Sequence, residues 1–308
     1  MSEIRHAAEE HLSMRRRLGC KLHAESLLLG HFTSFLEERG LDHVTIEAAV
    51  EWATLPPGAD PKWQANRLSV VRGLARHLSA YDQRNLIPPG DLLPRRGPRT
   101  TPFLYSEQQI IALMRAARAL PSPLRAATLE HFIGLMAAAG LRTGEALALD
   151  RDQADLTGGV LLIQGAKFGK SRLVPLHATA AARLRGYSRR RDQLCPHPST
   201  PAFFITSDTA RLTSSVASKA FNVLLTAAGV QAPPGVPRPR LYDLRHVYAV
   251  ATLARWYAEG ADVARHLPAL STAMGHVNPA STYWYLHACP QLMTAAAQRL
   301  DDSWKDPS

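Results

Sequence analysis

Residues 140–145 read Gly140-Leu141-Arg142-Thr143-Gly144-Glu145, and the segments on either side of them decide the fold. Upstream, an apolar run from about Leu124 to Ala139 predicts a helix, and Gly140 closes it, because glycine enters the left-handed conformation of a helix end without penalty. Ser106 followed by Gln109 predicts a capping box opening a shorter helix through Leu113. Downstream the period changes. Val160-Leu161-Leu162-Ile163 and Leu173-Val174 predict two short strands, and Ala166-Lys167-Phe168-Gly169-Lys170-Ser171 between them reads as a hairpin tip. Helical spacing then returns over about 178–192, 214–228, 243–258, 261–274 and 290–300. The expected class is mainly α with a small β-sheet.

Further out, Pro88, Pro89, Pro94, Pro98 and Pro102 surround Arg95, Arg96 and Arg99. Proline cannot continue a helix, so this stretch predicts an extended linker that divides the chain into residues 1–97 and 98–308. Before the linker, Leu27, Leu28, Phe32 and Phe35, then Ile46, Ala49, Val50 and Trp52, then Leu68, Val71 and Leu74 recur at helical intervals, which predicts a small domain of about four helices. A second proline cluster, Pro233, Pro234, Pro237 and Pro239 with Arg238 and Arg240, predicts a loop inside the later domain.

The chain has 308 residues, with 36 Lys+Arg against 26 Asp+Glu and a formal net charge of +10. That excess favours a polyanionic partner, since each phosphate neutralised by a basic side chain releases counterions. Only six of the basic residues are lysines, and two of these fall at 167 and 170. Cys20, Cys195 and Cys289 are odd in number and lack paired metal spacing, which predicts free thiols. Glu3, Arg5, Glu9 and Glu10 precede any apolar run, unlike a secretory signal. The longest apolar stretch is about half of a membrane span. A soluble intracellular protein is expected.

Three further patterns follow the 140–145 segment in order: Lys167 in the hairpin, Tyr242-Asp243-Leu244-Arg245-His246, and Met274-Gly275-His276 with Tyr285 nine residues beyond. Together they resemble the boxes of the tyrosine recombinase (phage integrase) family over about residues 100–300. The stretch Ser281-Thr282-Tyr283-Trp284-Tyr285-Leu286-His287 is similar to recombinases carried by transposons and integrated elements. The resemblance implies an N-terminal all-α SAM-like core-binding domain, residues 1–97, and a C-terminal α+β catalytic domain, residues 98–308. It also implies a site-specific recombinase or integrase serving a mobile element, which cleaves and rejoins DNA through a 3′-phosphotyrosyl intermediate.

The chemistry asks for these residue types. Phosphodiester cleavage places extra charge on the non-bridging oxygens, and guanidinium groups stabilise it with a planar fork that stays charged at any working pH. Arg142 and Arg245 are the expected clamp. By family position Lys167 is the general acid for the leaving 5′ oxygen, with Lys170 as its alternative, while Ser171 and Arg172 could touch phosphate. His276 is expected to bond the phosphate or to assist as a base. Tyr285 is the expected nucleophile. Tyr283 is its competitor, but two residues on a helix point about 200° apart, and the nine-residue interval selects 285.

One position departs from the family. Many members carry histidine three residues before the second arginine, where this chain has Tyr242. Its hydroxyl can donate to phosphate but cannot act as a base near neutral pH. His246 is expected to point elsewhere on the helix and not to replace the missing histidine. The resemblance further implies double-stranded DNA sites as partners, a homotetramer or mixed recombinase assembly joined by the helix after Pro290, and no metal or nucleotide cofactor. The expected setting is a bacterial cytoplasm, nucleoid-associated on DNA and away from membranes. A non-catalytic accessory homologue and a type IB topoisomerase-like enzyme are the competing functions.

Overall fold

In the computed structural model, the described residues are 2–20, 22–55, 57–94, 101–165, 171–276, 278 and 280–288. The hairpin tip with Lys167 and Lys170, the linker arginines 95, 96 and 99, and the helix expected at 290–300 lie outside them. The chain divides into two compact units, residues 1–99 and 100–308.

Four helices build the first unit: α1 (Glu3–Arg17), α2 (His23–Glu38), α3 (Ile46–Thr54) and α4 (Pro61–Leu78). Their starts are written locally. Ser2 and Thr45 accept from the backbone N–H groups of Arg5 and Ala48, and Asp60 caps α4 ahead of Pro61. Phe32, Leu36, Ala49, Trp52, Val71 and Leu74 meet in its core. Arg67 lies over the Trp52 ring at 3.7 Å and gives its Nη2 to the Trp52 carbonyl.

The second unit holds α5 (Glu107–Arg118), α6 (Pro123–Ala139), α7 (Thr143–Ala148), β1 (Ala154–Asp155), β2 (Val160–Ile163), β3 (Arg172–Pro175), α8 (Ala178–Leu194), α9 (Ser214–Ala227), α10 (Asp243–Ala258), α11 (Val263–Met274) and α12 (Ala280–Ala288). The capping box forms as the sequence predicts: Ser106 accepts from Gln109 N–H, and the Gln109 side chain accepts from Ser106 N–H. α6 is buried on nearly every side, from Leu124 through Phe132 and Ile133 to Ala139, so it shows no amphipathic stripe and forms the centre of the unit.

Three antiparallel strands pair in the order β1-β2-β3, where two were expected. The two residues of β1 are too few to show alternation. Val174 faces Leu161 and Arg172 faces Ile163 across the ladder. Side chains two apart share a strand face, so Arg172 stands on the same side as buried Val174. A separate cluster of Ala249, Leu253, Leu267, Leu270, Met274 and Tyr285 ties α10, α11 and α12 together. Among the described residues, no helix is long and apolar enough to cross a membrane.

Candidate active site

Two glycine-terminated helices bring the sequence boxes together. Gly140 ends α6 at φ +60°, and a Cβ there would overlap the Tyr248 ring. Gly275 ends α11 at φ +70°, and a Cβ there would lie 2.7 Å from Arg172 Cζ and 3.0 Å from Arg142 Nη1. Glycine therefore suits 275 twice over, for its backbone and for the room it leaves two guanidinium groups.

Arg142 sits in extended backbone between α6 and α7. Its backbone N–H donates to Glu145 Oε2 at 2.9 Å, its Nη1 to Glu145 Oε1 at 2.7 Å, and its Nη2 to the Gly275 carbonyl. Arg172 meets the same carboxylate through Nη1 at 2.9 Å and Nη2 at 2.7 Å, and gives Nε to the Ala273 carbonyl at 2.9 Å. Burial alone would raise the Glu145 carboxyl. The bonds from Arg172 and Arg142 outweigh it and hold the group at about 2. The carboxylate is thus a fixed anion that aims two cations.

Arg245, in the first turn of α10, is fully buried. It donates Nη1 to the Gly140 carbonyl at 2.6 Å and Nη2 to the Met274 carbonyl at 2.8 Å. Its Nε has no hydrogen-bond partner among the described residues. Burial lowers its pKa, and nearby Tyr242 and Tyr285 act in the opposite direction. Among the described residues, three guanidinium groups therefore surround the Ala273–Gly275 backbone with the carboxylate of Glu145 set against them.

Tyr285 projects from α12 into this region with 1% of its surface exposed, whereas Tyr283 is 48% exposed. The Tyr285 hydroxyl lies 2.8 Å from His246 Nδ1. The His276 ring runs nearly parallel to that of Tyr285 at 6.3 Å, and His276 Nδ1 lies 2.6 Å from Thr282 Oγ1. Tyr242 stands at the rim, 39% exposed, with its ring 5.2 Å from that of His246.

Arg142, Arg245, His276 and Tyr285 thus share one site, with Tyr242 at its edge; Lys167 falls outside the described residues. The expectation that His246 points elsewhere is overturned. Four positions are about one helical turn, so residue 246 stacks above residue 242 and reaches the phenol. Glu145 and Arg172 were also missed in these roles. Their signals were an acid three residues after Arg142 and an arginine on the inner face of the strand leaving the hairpin. Arg240, from the second proline cluster, is tied to buried Asp243 at 2.9 Å. Among the described residues, no group of three or more His, Cys, Asp or Glu could hold a metal ion.

Comparison with known proteins bears on this geometry. Residues 104–291 match the model of the phage integrase family. A Sinorhizobium fredii protein, y4rB, named as an integrase/recombinase, is 42% identical over 99% of both chains. The tyrosine recombinase XerD of Ralstonia nicotianae is 33% identical over 73% of this chain and 67% of its own. Among solved structures, the Tn1549 transposon integrase in complex with a circular intermediate DNA superposes with a TM-score of 0.65 at 18% identity, over 97% of this chain and 100% of that one.

Proposed function

Since the chain belongs to the phage integrase family, the tyrosine-type site-specific DNA recombinases, we propose that it cuts and rejoins DNA at paired sites through a covalent link from Tyr285 to a 3′ phosphate. The observation that carries this reading is the placement of a buried phenol beside a buried arginine whose Nε has no acceptor among the described residues. That donor, with the Arg142 fork, suits the non-bridging oxygens of a phosphodiester, where charge grows in the transition state. Phosphodiester cleavage then proceeds by displacement. The Tyr285 Oη–P bond forms as the P–O5′ bond breaks, and Lys167 gives the leaving oxygen its proton. The ester keeps the energy of the broken linkage, so the freed 5′ hydroxyl of a partner strand can attack it without a nucleotide cofactor. His276 and the Tyr242 hydroxyl contact the phosphate from two sides.

Residues 1–97 act as the core-binding domain and residues 98–308 as the catalytic domain. Two DNA sites and four protomers form the working assembly, held together by the segment after Pro290, and the enzyme serves a mobile element. The named relatives support this setting, one called an integrase/recombinase and one solved structure being a transposon integrase with its DNA. Sites selected from a randomised DNA pool give the duplex for a direct test. Built as a nicked suicide substrate, that duplex traps a protein–DNA adduct with the full chain and none with Tyr285→Phe. An adduct formed by Tyr285→Phe refutes the reading.

A further inference from the structure

We propose that His246 is a catalytic residue, the acceptor of the Tyr285 proton. The inference rests on Tyr285 being the nucleophile and deepens that reading. Its ground is the 2.8 Å approach of His246 Nδ1 to the phenol oxygen, made where the phenol is 1% and His246 6% exposed. A proton leaving a phenol so enclosed passes to a neighbouring group, and His246 is in hydrogen-bond reach. The other named candidates fit less well. His276 Nδ1 is directed to Thr282. The Glu145 carboxylate is held by two arginines and far too weak a base. Asp243 is engaged by Arg240. Tyr242 is itself a phenol and no base near neutral pH.

Local packing sets the imidazole in place. Residue 246 follows Arg245 on α10, so the helix turn that positions the cation also positions the acceptor. The His246 ring meets Tyr242 at 5.2 Å, Tyr285 at 5.5 Å and Trp284 at 6.0 Å, each at a steep interplanar angle. Among the described residues, the charged and titratable groups near the pair include Tyr242 and Arg245 on α10, Arg142 and Glu145 at α7 with Arg172 of β3 bonded to Glu145, and His276 after α11. In the resting site the Tyr285 hydroxyl donates to Nδ1, and Nε2 carries the ring proton. As the Oη–P bond forms and the P–O5′ bond breaks, the phenolic proton moves to Nδ1 and leaves an imidazolium, while Lys167 protonates O5′. On rejoining, His246 returns the proton to Oη as the ester opens. A tyrosine at position 242 is then compatible with proton removal, because the acceptor sits one turn further along the same helix.

The test uses the full chain and the nicked duplex described above, with single-turnover rates of adduct formation measured between pH 5.5 and 8.5. His246→Asn should slow adduct formation about 100-fold or more with DNA affinity unchanged in gel shift. The acid limb of the wild-type pH profile should vanish in that variant. His246→Ala should regain rate when imidazole is added, which a loss of packing alone would not allow. The Ala variant decides the matter even if the Asn variant is thermally weakened. A wild-type rate in His246→Asn overturns the proposal. So does a slow His246→Ala that ignores imidazole while keeping the acid limb. Tyr285→Phe separates the two readings: if it forms an adduct, the nucleophile assignment fails, whereas an inert Tyr285→Phe beside normal His246 variants removes only the base.

Discussion

Replacing Glu145 by Gln removes the charge from the one carboxylate that joins two of the three arginines, with almost no change of shape. In the wild type this carboxyl lies at about 2 against an ordinary value of 4.5, a difference equal to about 3.4 kcal/mol at 1.36 kcal/mol per pH unit. The Arg142 partner is 28% exposed, so screening by water reduces the expected contribution to roughly 2 kcal/mol. Folding lowers this pKa. Its stabilisation is therefore complete above pH 4.5 and lost as the pH falls toward 2, with more than half gone at pH 3. Glu145→Gln should then lose about 2 kcal/mol at pH 7 and differ much less from wild type at pH 3. Urea unfolding, with hydrogen exchange read on the β2 and β3 amides to isolate the 100–308 unit, measures both. Other carboxylates titrate in both proteins and cancel in the difference. A loss under about 0.5 kcal/mol at pH 7, or one equally large at pH 3, would mean that the carboxylate does not hold the two guanidinium groups.

Gly275→Ala should cost about 1–2 kcal/mol in stability for a left-handed alanine and lower adduct formation at least tenfold, because its methyl displaces Arg172 and Arg142; unchanged adduct kinetics would contradict this. Tyr242→Phe should lower the cleavage rate about tenfold to a hundredfold, the worth of one hydrogen bond to a charged phosphate. Full activity in that variant would remove Tyr242 from the phosphate's surroundings.

Much of this arrangement could be read from local chemistry. The Gly140 helix end, the Ser106 capping box, strand β2 at 160–163 and helix α10 at 243–258 follow from rules that act over a few residues, and each forms where the sequence predicts it. Arg142, Arg245, His276 and Tyr285 were found by their motifs, and the fold brings them into one place. The residues that escaped are those whose meaning depends on distant partners. Glu145 and Arg172 are 27 positions apart, and nothing in either segment states that they share a carboxylate. From its place after Arg245 alone, His246 is expected to point away from the position of the histidine it might replace, whereas its partner stands 39 residues away on α12. The two-residue β1 exists only because β2 is beside it, and so has no pattern of its own.

The arginines of this site lean on main-chain oxygens: Arg172 on Ala273, Arg245 on Met274, and Arg142 on Gly275. Every amino acid supplies the same carbonyl, so a change of letter at 273 can leave its anchor standing. Adding or deleting one residue within α11 is another matter. It would advance the helix end by about 1.5 Å and turn it by about 100°, taking all three supports away at once. Such a cleft can drift in spelling over generations, yet has little tolerance for a change in count.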